Sequence, residues 1–307
     1  MSSELVSIVI PTYKRSDKIG RAVASAVRQT YRNVEIIVVD DNAEYPEERE
    51  KTAKALKKFP QVTLIQNRQN LGGALSRNVG VQKSHGKYIA FLDDDDEYLP
   101  EKVEKQVDAF AGSMDPLLGL MYCNITQSKD ISPNDNVIYE QMRSLCIART
   151  SLWLVKKDVL IDVGGFEKSP CFQDAILLLK ILLKGYNIYK IQSDLVKCYP
   201  HSSSDGVLGH GPSYIVGANM YRDLCRKNYD RLDTKKQVDN VEIAFSYSLI
   251  KCHIMNDHKR EAKTEFNNIV KRNAFCAEAL KSLIKFAFLR IYRAKVIWTD
   301  KRYGDKK

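Results

Sequence analysis

The stretch YIAFLDDDDE, residues 88–97, sets a short apolar run directly against four aspartates and a glutamate. An apolar, aromatic and β-branched run of this length reads as a strand buried on both faces. The carboxylates then stand just beyond its carboxyl end. Adjacent carboxylates repel one another, and hard oxygen donors suit Mg²⁺ or Mn²⁺, which take one or two carboxylates together with phosphate oxygens. The same acids would also suit the N-terminal end of a helix expected near Pro100, where negative charge is favourable.

Outward from this stretch the same grammar repeats. LVSIVI (5–10) ends at Pro11-Thr12, VEIIVV (34–39) ends at Asp40-Asp41-Asn42, and VTLI (62–65) leads to Asn70-Leu71-Gly72-Gly73. Helical patterns lie between them, over about 16–29, 46–58 and 73–83. Strand and helix alternating at this spacing predict βαβ units and a parallel sheet covered on both faces. Ligands of such sheets bind beyond the carboxyl ends of the strands. Pro11, Thr12, Asp40, Asp41 and residues 93–96 are therefore expected along one edge. Beyond residue 115 the pattern is less regular. Strands are expected at 117–123, 151–155, 187–191 and 194–199, a short helix at 158–163 and an apolar helix at 174–183, with 128–143 polar and loop-like. From Tyr214 only helical patterns appear, at about 214–228, 236–256, 259–272 and 274–298.

Composition narrows the class. The chain has 307 residues, 44% apolar and 28% charged, as expected of a globular protein with a sizeable core and not of a disordered or fibrous chain. No apolar run approaches the ~20 residues of a membrane span, and the N-terminus does not read as a secretory signal. The seven cysteines are widely spaced with no C-x-x-C pair, which predicts reduced thiols in a cytoplasmic protein and no zinc site. The net charge of +10 is lopsided: residues 211–307 hold 21 Lys and Arg against 11 Asp and Glu, so residues 1–210 balance at zero. A neutral module over 1–210 and a basic helical module over 211–307 are expected. In the last helical pattern, Leu280, Ile284, Ala287, Ile291, Ala294 and Trp298 form one apolar stripe flanked by lysines and arginines. Such a helix lies on an anionic membrane surface, or packs on its neighbours or on a second copy in a homo-oligomer. No helix-turn-helix, zinc-finger or RNA-recognition signature accompanies the basic charge, so nucleic acid is not an expected partner. PTYKRS stands where a dinucleotide-binding oxidoreductase needs G-x-G-x-x-G after its first strand.

The segments SIVIPTYKR (7–15), QTYRNVEIIVVDDN (29–42), NLGGALSRNVGV (70–81), GKYIAFLDDDDEYLPEKVEKQ (86–106), VGGFE (163–167) and QDAILLLKILLKG (173–185) together resemble the family 2 glycosyltransferases of GT-A fold. These are inverting enzymes that use nucleotide-diphosphate sugars, among them bacterial capsule and lipopolysaccharide transferases. The resemblance covers about residues 5–205. It implies an α/β fold, a Rossmann-like nucleotide-diphosphate-sugar-binding mixed sheet flanked by helices, followed by a C-terminal α-helical region. It also implies a UDP-sugar donor, Mn²⁺ or Mg²⁺ as cofactor, and a glycan or lipid-linked glycan acceptor at the inner face of the cell membrane.

Carried over by position, Pro11, Thr12 and Tyr13 line the base pocket, and Asp40 accepts hydrogen bonds from the base. Asn70, Gly72 and Arg77 lie under the nucleotide, Arg77 contacting the diphosphate or bracing the aspartates. In the family's D-x-D motif, Asp93 reaches the ribose, Asp94 is the middle position, and Asp95 holds the metal, with His201 in the following loop touching metal or diphosphate. Asp174 matches the general base of an E-D pair, although the preceding residue is Gln173; it would equally cap its helix. Asp162 and Glu167 are the alternative bases. A non-catalytic subunit of this fold, binding a nucleotide sugar or a partner, is the competing reading.

Overall fold

A computed structural model describes residues 4–124, 136–145, 147–199 and 211–273. It divides into two units, one of Met1–Asp130, Ile147–Lys168 and Ile176–Tyr199, the other of Ile131–Cys146, Ser169–Ala175 and Pro200–Lys307.

The first unit is built on β1 (Val6–Thr12), α1 (Ile19–Val27), β2 (Val34–Asp40), α2 (Pro46–Leu56), β3 (Val62–Gln66), α3 (Gly73–Lys83) and β4 (Tyr88–Phe91). Then come β5 (Glu97–Tyr98), α4 (Lys102–Gly112) and β6 (Leu118–Asn124). A helix of the second unit, α5 (Val137–Ser144), intervenes before β7 (Trp153–Lys156), α6 (Lys157–Asp162), α7 (Gln173–Leu183), β8 (Asn187–Asp194) and β9 (Val196–Lys197). Seven strands form one sheet in the order β3-β2-β1-β4-β7-β6-β8. The apolar runs explain its core: Ile8, Val9, Ile10, Val38, Val39, Ile89, Ala90 and Phe91 are all fully buried. On one face, α3 packs so closely that a Cβ at Gly80 would stand 2.2 Å from a Val9 methyl.

The sheet is mixed. β7 runs antiparallel to both of its neighbours, β4 and β6, while the remaining pairs are parallel. The apolar pattern of 151–155 identifies a strand but not its direction. Direction follows from the connection, and only a crossover keeps consecutive strands parallel. β5 and β9 form a separate two-stranded ribbon just after the acidic run.

The second unit contains α5, α8 (Pro212–Arg226), α9 (Lys235–Met255) and α10 (Lys259–Asn273). Helix α5 replaces part of the loop expected at 128–143. The Asn136 side chain accepts the Tyr139 amide at 3.0 Å and starts the helix, which turns Gln141 and Met142 inward. A polar sequence hid it because the buried Gln141 is satisfied by the Ala175 carbonyl and the Tyr221 hydroxyl, both 3.1 Å away. The apolar stripe of 274–298 lies outside the described residues. Among the described residues, no helix is long and apolar enough to cross a membrane.

Candidate active site

The strand order reverses between β1 and β4: the chain moves from β1 out to β3, then returns to β4 on the other side of β1. Pairing of β1 with β4 runs from Val6 to Val9, closing with the Leu92 amide on the Val9 carbonyl at 3.0 Å. Beyond that point the two strands are no longer paired, at the carboxyl ends, where open α/β sheets bind ligands. Pro11, which has no N–H to offer, falls on the stretch where β4 no longer pairs.

The expected convergence is present. Thr12 is in register with Asp40 on β2, and its hydroxyl donates to Asp94 at 2.8 Å. Arg15, a residue not singled out from the sequence, bridges Asp94 at 2.9 Å and Asp95 at 2.6 Å. Arg21 donates to the Asp95 carbonyl at 2.7 Å and pairs with Glu97 at 3.2 Å. Arg77 pairs with Asp93 at 2.5 Å. Asp93 has the most open carboxylate of the first three, its side chain 35% exposed against 5% for Asp94 and 4% for Asp95.

Acid outweighs base in this turn. Burial pushes Asp94 up to about 6 even though Arg15 and Thr12 pull it down. Burial and the charge of Asp93 push Asp96 up to about 7. Both shifts come first from burial, which disfavours the charged carboxylate. A donor set made wholly of carboxylate oxygens fits Mg²⁺ or Mn²⁺. Among the described residues no three His, Cys, Asp or Glu side chains form a metal cage.

The remaining expected residues take varied places. Asp40 is fully buried, and its carboxylate receives the Asn42 amide at 2.9 Å, the Asn42 side chain at 2.7 Å and Gln66 at 3.3 Å. Its neighbour Asp41 does what the sequence reading did not foresee. It accepts the amides of Leu71 and Gly72 at 2.9 and 2.8 Å and so ties the loop before α3 to the end of β2. Gly72 has φ +79, a left-handed conformation that glycine adopts without strain. Asn70 is exposed. Tyr13 is 38% exposed, edge-on to Tyr45 with ring centroids 5.9 Å apart, and Lys14 lies 3.8 Å over the Tyr45 ring. Asn78, also overlooked, exchanges two hydrogen bonds with the backbone of Phe166, at 2.8 and 2.9 Å. Its signal in the sequence was an amide following Arg77 in a helix facing the sheet edge.

Asp174 stands in the first turn of α7 and its carboxylate accepts the Ala175 amide at 2.8 Å. Gln173, in place of the expected glutamate, donates to the Ser169 carbonyl at 2.9 Å. The alternative acids are engaged in ion pairs: Asp162 with Lys184 at 3.1 Å and Glu167 with Lys180 at 3.0 Å. His201 lies outside the described residues.

Comparison with known proteins agrees with this architecture. The chain matches the family described as Glycosyl transferase family 2 over residues 7–161. It is 30% identical over 275 residues to an uncharacterized glycosyltransferase of Haemophilus influenzae, covering 86% of this chain and 89% of that one. It is 38% identical over 237 residues to the UDP-Glc:alpha-D-GlcNAc-diphosphoundecaprenol beta-1,3-glucosyltransferase WfaP of Escherichia coli, covering 73% of this chain and 84% of that one. Among solved structures, the mannosyltransferase PcManGT of Pyrobaculum calidifontis, in complex with GDP-Man and Mn²⁺, superposes with a TM-score of 0.60 at 19% identity. That similarity covers 98% of this chain and 85% of PcManGT. The S. aureus TarS fragment 1–349 with UDP-GlcNAc superposes with a TM-score of 0.55 at 14% identity, covering 87% and 89% of the two chains. With its strand order, its acidic turn and these relatives in agreement, the chain belongs to glycosyltransferase family 2.

Proposed function

We propose that this chain is an inverting glycosyltransferase moving a sugar from a nucleotide-diphosphate donor to a hydroxyl of a glycan acceptor during bacterial surface-polysaccharide synthesis. The observation that carries the reading is the run of four carboxylates at residues 93–96, met by Arg15 and Arg77, at the carboxyl end of β4 where the strand order reverses. A UDP-sugar and a lipid-linked acceptor are favoured, because WfaP is described with UDP-Glc and a diphosphoundecaprenol-linked sugar. The same reading keeps a transferase domain over 1–210 and a basic helical region over 211–307, the latter serving an anionic membrane surface or packing on a neighbouring helix or a second copy.

In this reading, Pro11, Thr12, Tyr13 and Asp40 form the base side of the donor site, and Asn70, Gly72, Arg77, Asp93 and Asp94 its ribose and diphosphate side. Asp95 and His201 would hold Mn²⁺ or Mg²⁺, as Mn²⁺ accompanies GDP-Man in PcManGT. A cation held there would supply positive charge against the leaving nucleotide diphosphate. Asp174 takes the proton of the acceptor hydroxyl as that oxygen attacks the anomeric carbon from the face opposite the leaving group. One displacement inverts the configuration.

A thermal-shift panel of nucleotide diphosphates and their sugars, with Mn²⁺, Mg²⁺ or chelator, tests donor and cofactor together. A saturating donor at a hundredfold excess over its Kd adds ~2.7 kcal/mol of stability. A chelator-sensitive shift with one sugar nucleotide is expected. No shift with any of them would favour the non-catalytic reading. Asp174→Asn should keep the donor shift and lower kcat by roughly 10²–10⁴-fold, the usual worth of a general base. Normal turnover would remove Asp174 from the mechanism.

A further inference from the structure

The acidic turn rests on a polar floor that the proposed mechanism does not use. Asp93 and Asp96 are joined by the Asp96 amide on the Asp93 carbonyl at 3.0 Å. Beneath them lies a short 3₁₀ turn, Thr150–Leu152, with Ser151 wholly buried at its centre. The Asp93 amide donates to the Ser151 hydroxyl oxygen at 3.1 Å, and that hydroxyl in turn hydrogen-bonds the Asp96 carboxylate. One oxygen thus grips both ends of the turn that carries Asp94 and Asp95.

Ser151 is itself held from below. The next two carbonyls in the chain are each tied to α4: Gln106 donates to the Leu152 carbonyl at 2.9 Å and Lys102 to the Trp153 carbonyl at 2.9 Å. Lys102 also donates to the Gln106 side chain at 2.8 Å and lies 4.1 Å over the Tyr98 ring. Ser151, Lys102 and Gln106 are all 0% exposed. Burying three polar side chains in one place is costly unless each hydrogen bond is made. Apolar residues would fill the same space without that requirement. What they would not supply is a donor and an acceptor aimed at two specified atoms of the acidic turn.

We infer that Ser151 is a positioning residue for the cation site: braced by Lys102 and Gln106, its hydroxyl holds residues 93–96 in the shape that presents their carboxylates to a divalent metal and a nucleoside diphosphate. The inference rests on the donor-site reading of that turn and adds to it a residue 58 positions away in sequence.

The test is Mn²⁺ affinity of the full chain, read from the free-ion electron paramagnetic resonance signal in the presence of UDP or of GDP. Melting curves of the same samples report folding. Ser151→Ala removes both hydrogen bonds, and Ser151→Cys replaces the hydroxyl with a slightly larger thiol that makes them more weakly. Supporting groups behind a metal site typically change affinity by about 10–100-fold. Ser151→Ala is expected to weaken Mn²⁺ binding by about tenfold or more, with Ser151→Cys between it and the wild type. If either folded variant binds Mn²⁺ as the wild type does, Ser151 is only a structural stitch and the inference is wrong, whatever happens to the melting temperature. Should Ser151→Ala not fold, Ser151→Cys decides. If the wild type itself binds no Mn²⁺ with either nucleotide, the donor-site reading fails first and this inference falls with it.

Discussion

Two clusters of buried charge, one in each unit, show opposite behaviour. In the helical unit, Arg222 and Glu242 pair at 2.6 Å with side chains 3% and 2% exposed. Arg226 adds a second cation to Glu242 at 2.7 Å, Tyr229 donates to it at 2.7 Å, and Glu265 takes the other side of Arg222 at 2.8 Å. Burial alone would raise Glu242, yet the hydrogen bonds of Arg226 and Arg222 hold it down at about 2. In the sheet unit, burial wins and lifts Asp94 and Asp96 to about 6 and 7. The first cluster carries its own counter-charges and acts as architecture. In the second, burial outweighs the arginines beside it, and the carboxyls are held above their ordinary range.

The largest expected effect tests the balanced cluster. Glu242→Ala would leave the buried Arg222 with Glu265 as its remaining acidic partner and remove the acid that Arg226 and Tyr229 share, at a cost of roughly 3–5 kcal/mol. Urea unfolding measures it, and a loss under about 1 kcal/mol would erase the contrast between the clusters. Acid probes the same group without mutation. Because the folded value of Glu242 is depressed, its contribution is present above the ordinary value of 4.5 and is lost as pH falls toward about 2. Helical ellipticity should therefore decay over that window in the wild type, and a Glu242→Gln protein should lack this step.

Smaller effects bear on the sheet unit. Asn78→Ala strands the amide and carbonyl of Phe166 and should cost about 1–3 kcal/mol in denaturant unfolding. An unchanged midpoint would mean that the loop finds other partners. At the bottom of the scale, Lys105→Ala breaks an exposed i,i+4 pair with Glu101 and should change stability by less than about 0.5 kcal/mol. A larger loss would show that pairs open to water matter more in this chain than the buried clusters suggest.

Much of the sheet was legible because strand signals are local. The apolar runs at 5–10, 34–39, 62–65 and 88–92 became β1 to β4 with small shifts at their ends. Their final residues lie along one edge, since parallel strands place their carboxyl ends together. Less legible were elements whose stability is not written in periodicity. α5 depends on a cap at Asn136 and on partners for Gln141. The β5–β9 ribbon consists of two residues per strand and is recognisable only as a pair.

By itself the sequence determined that carboxylates stand at the end of β4, that hydroxyl and acid residues stand at the ends of β1 and β2, and that basic charge gathers beyond residue 210. Those facts follow from composition and local pattern. Only the tertiary structure decided which cations meet which acids. Arg15 reaches Asp94 across 79 residues, and Ser151 meets the acidic turn through β7, an antiparallel strand whose direction no local pattern encodes. Strand order and direction bring such partners together, so a residue's role at this edge depends on which strand folds beside it.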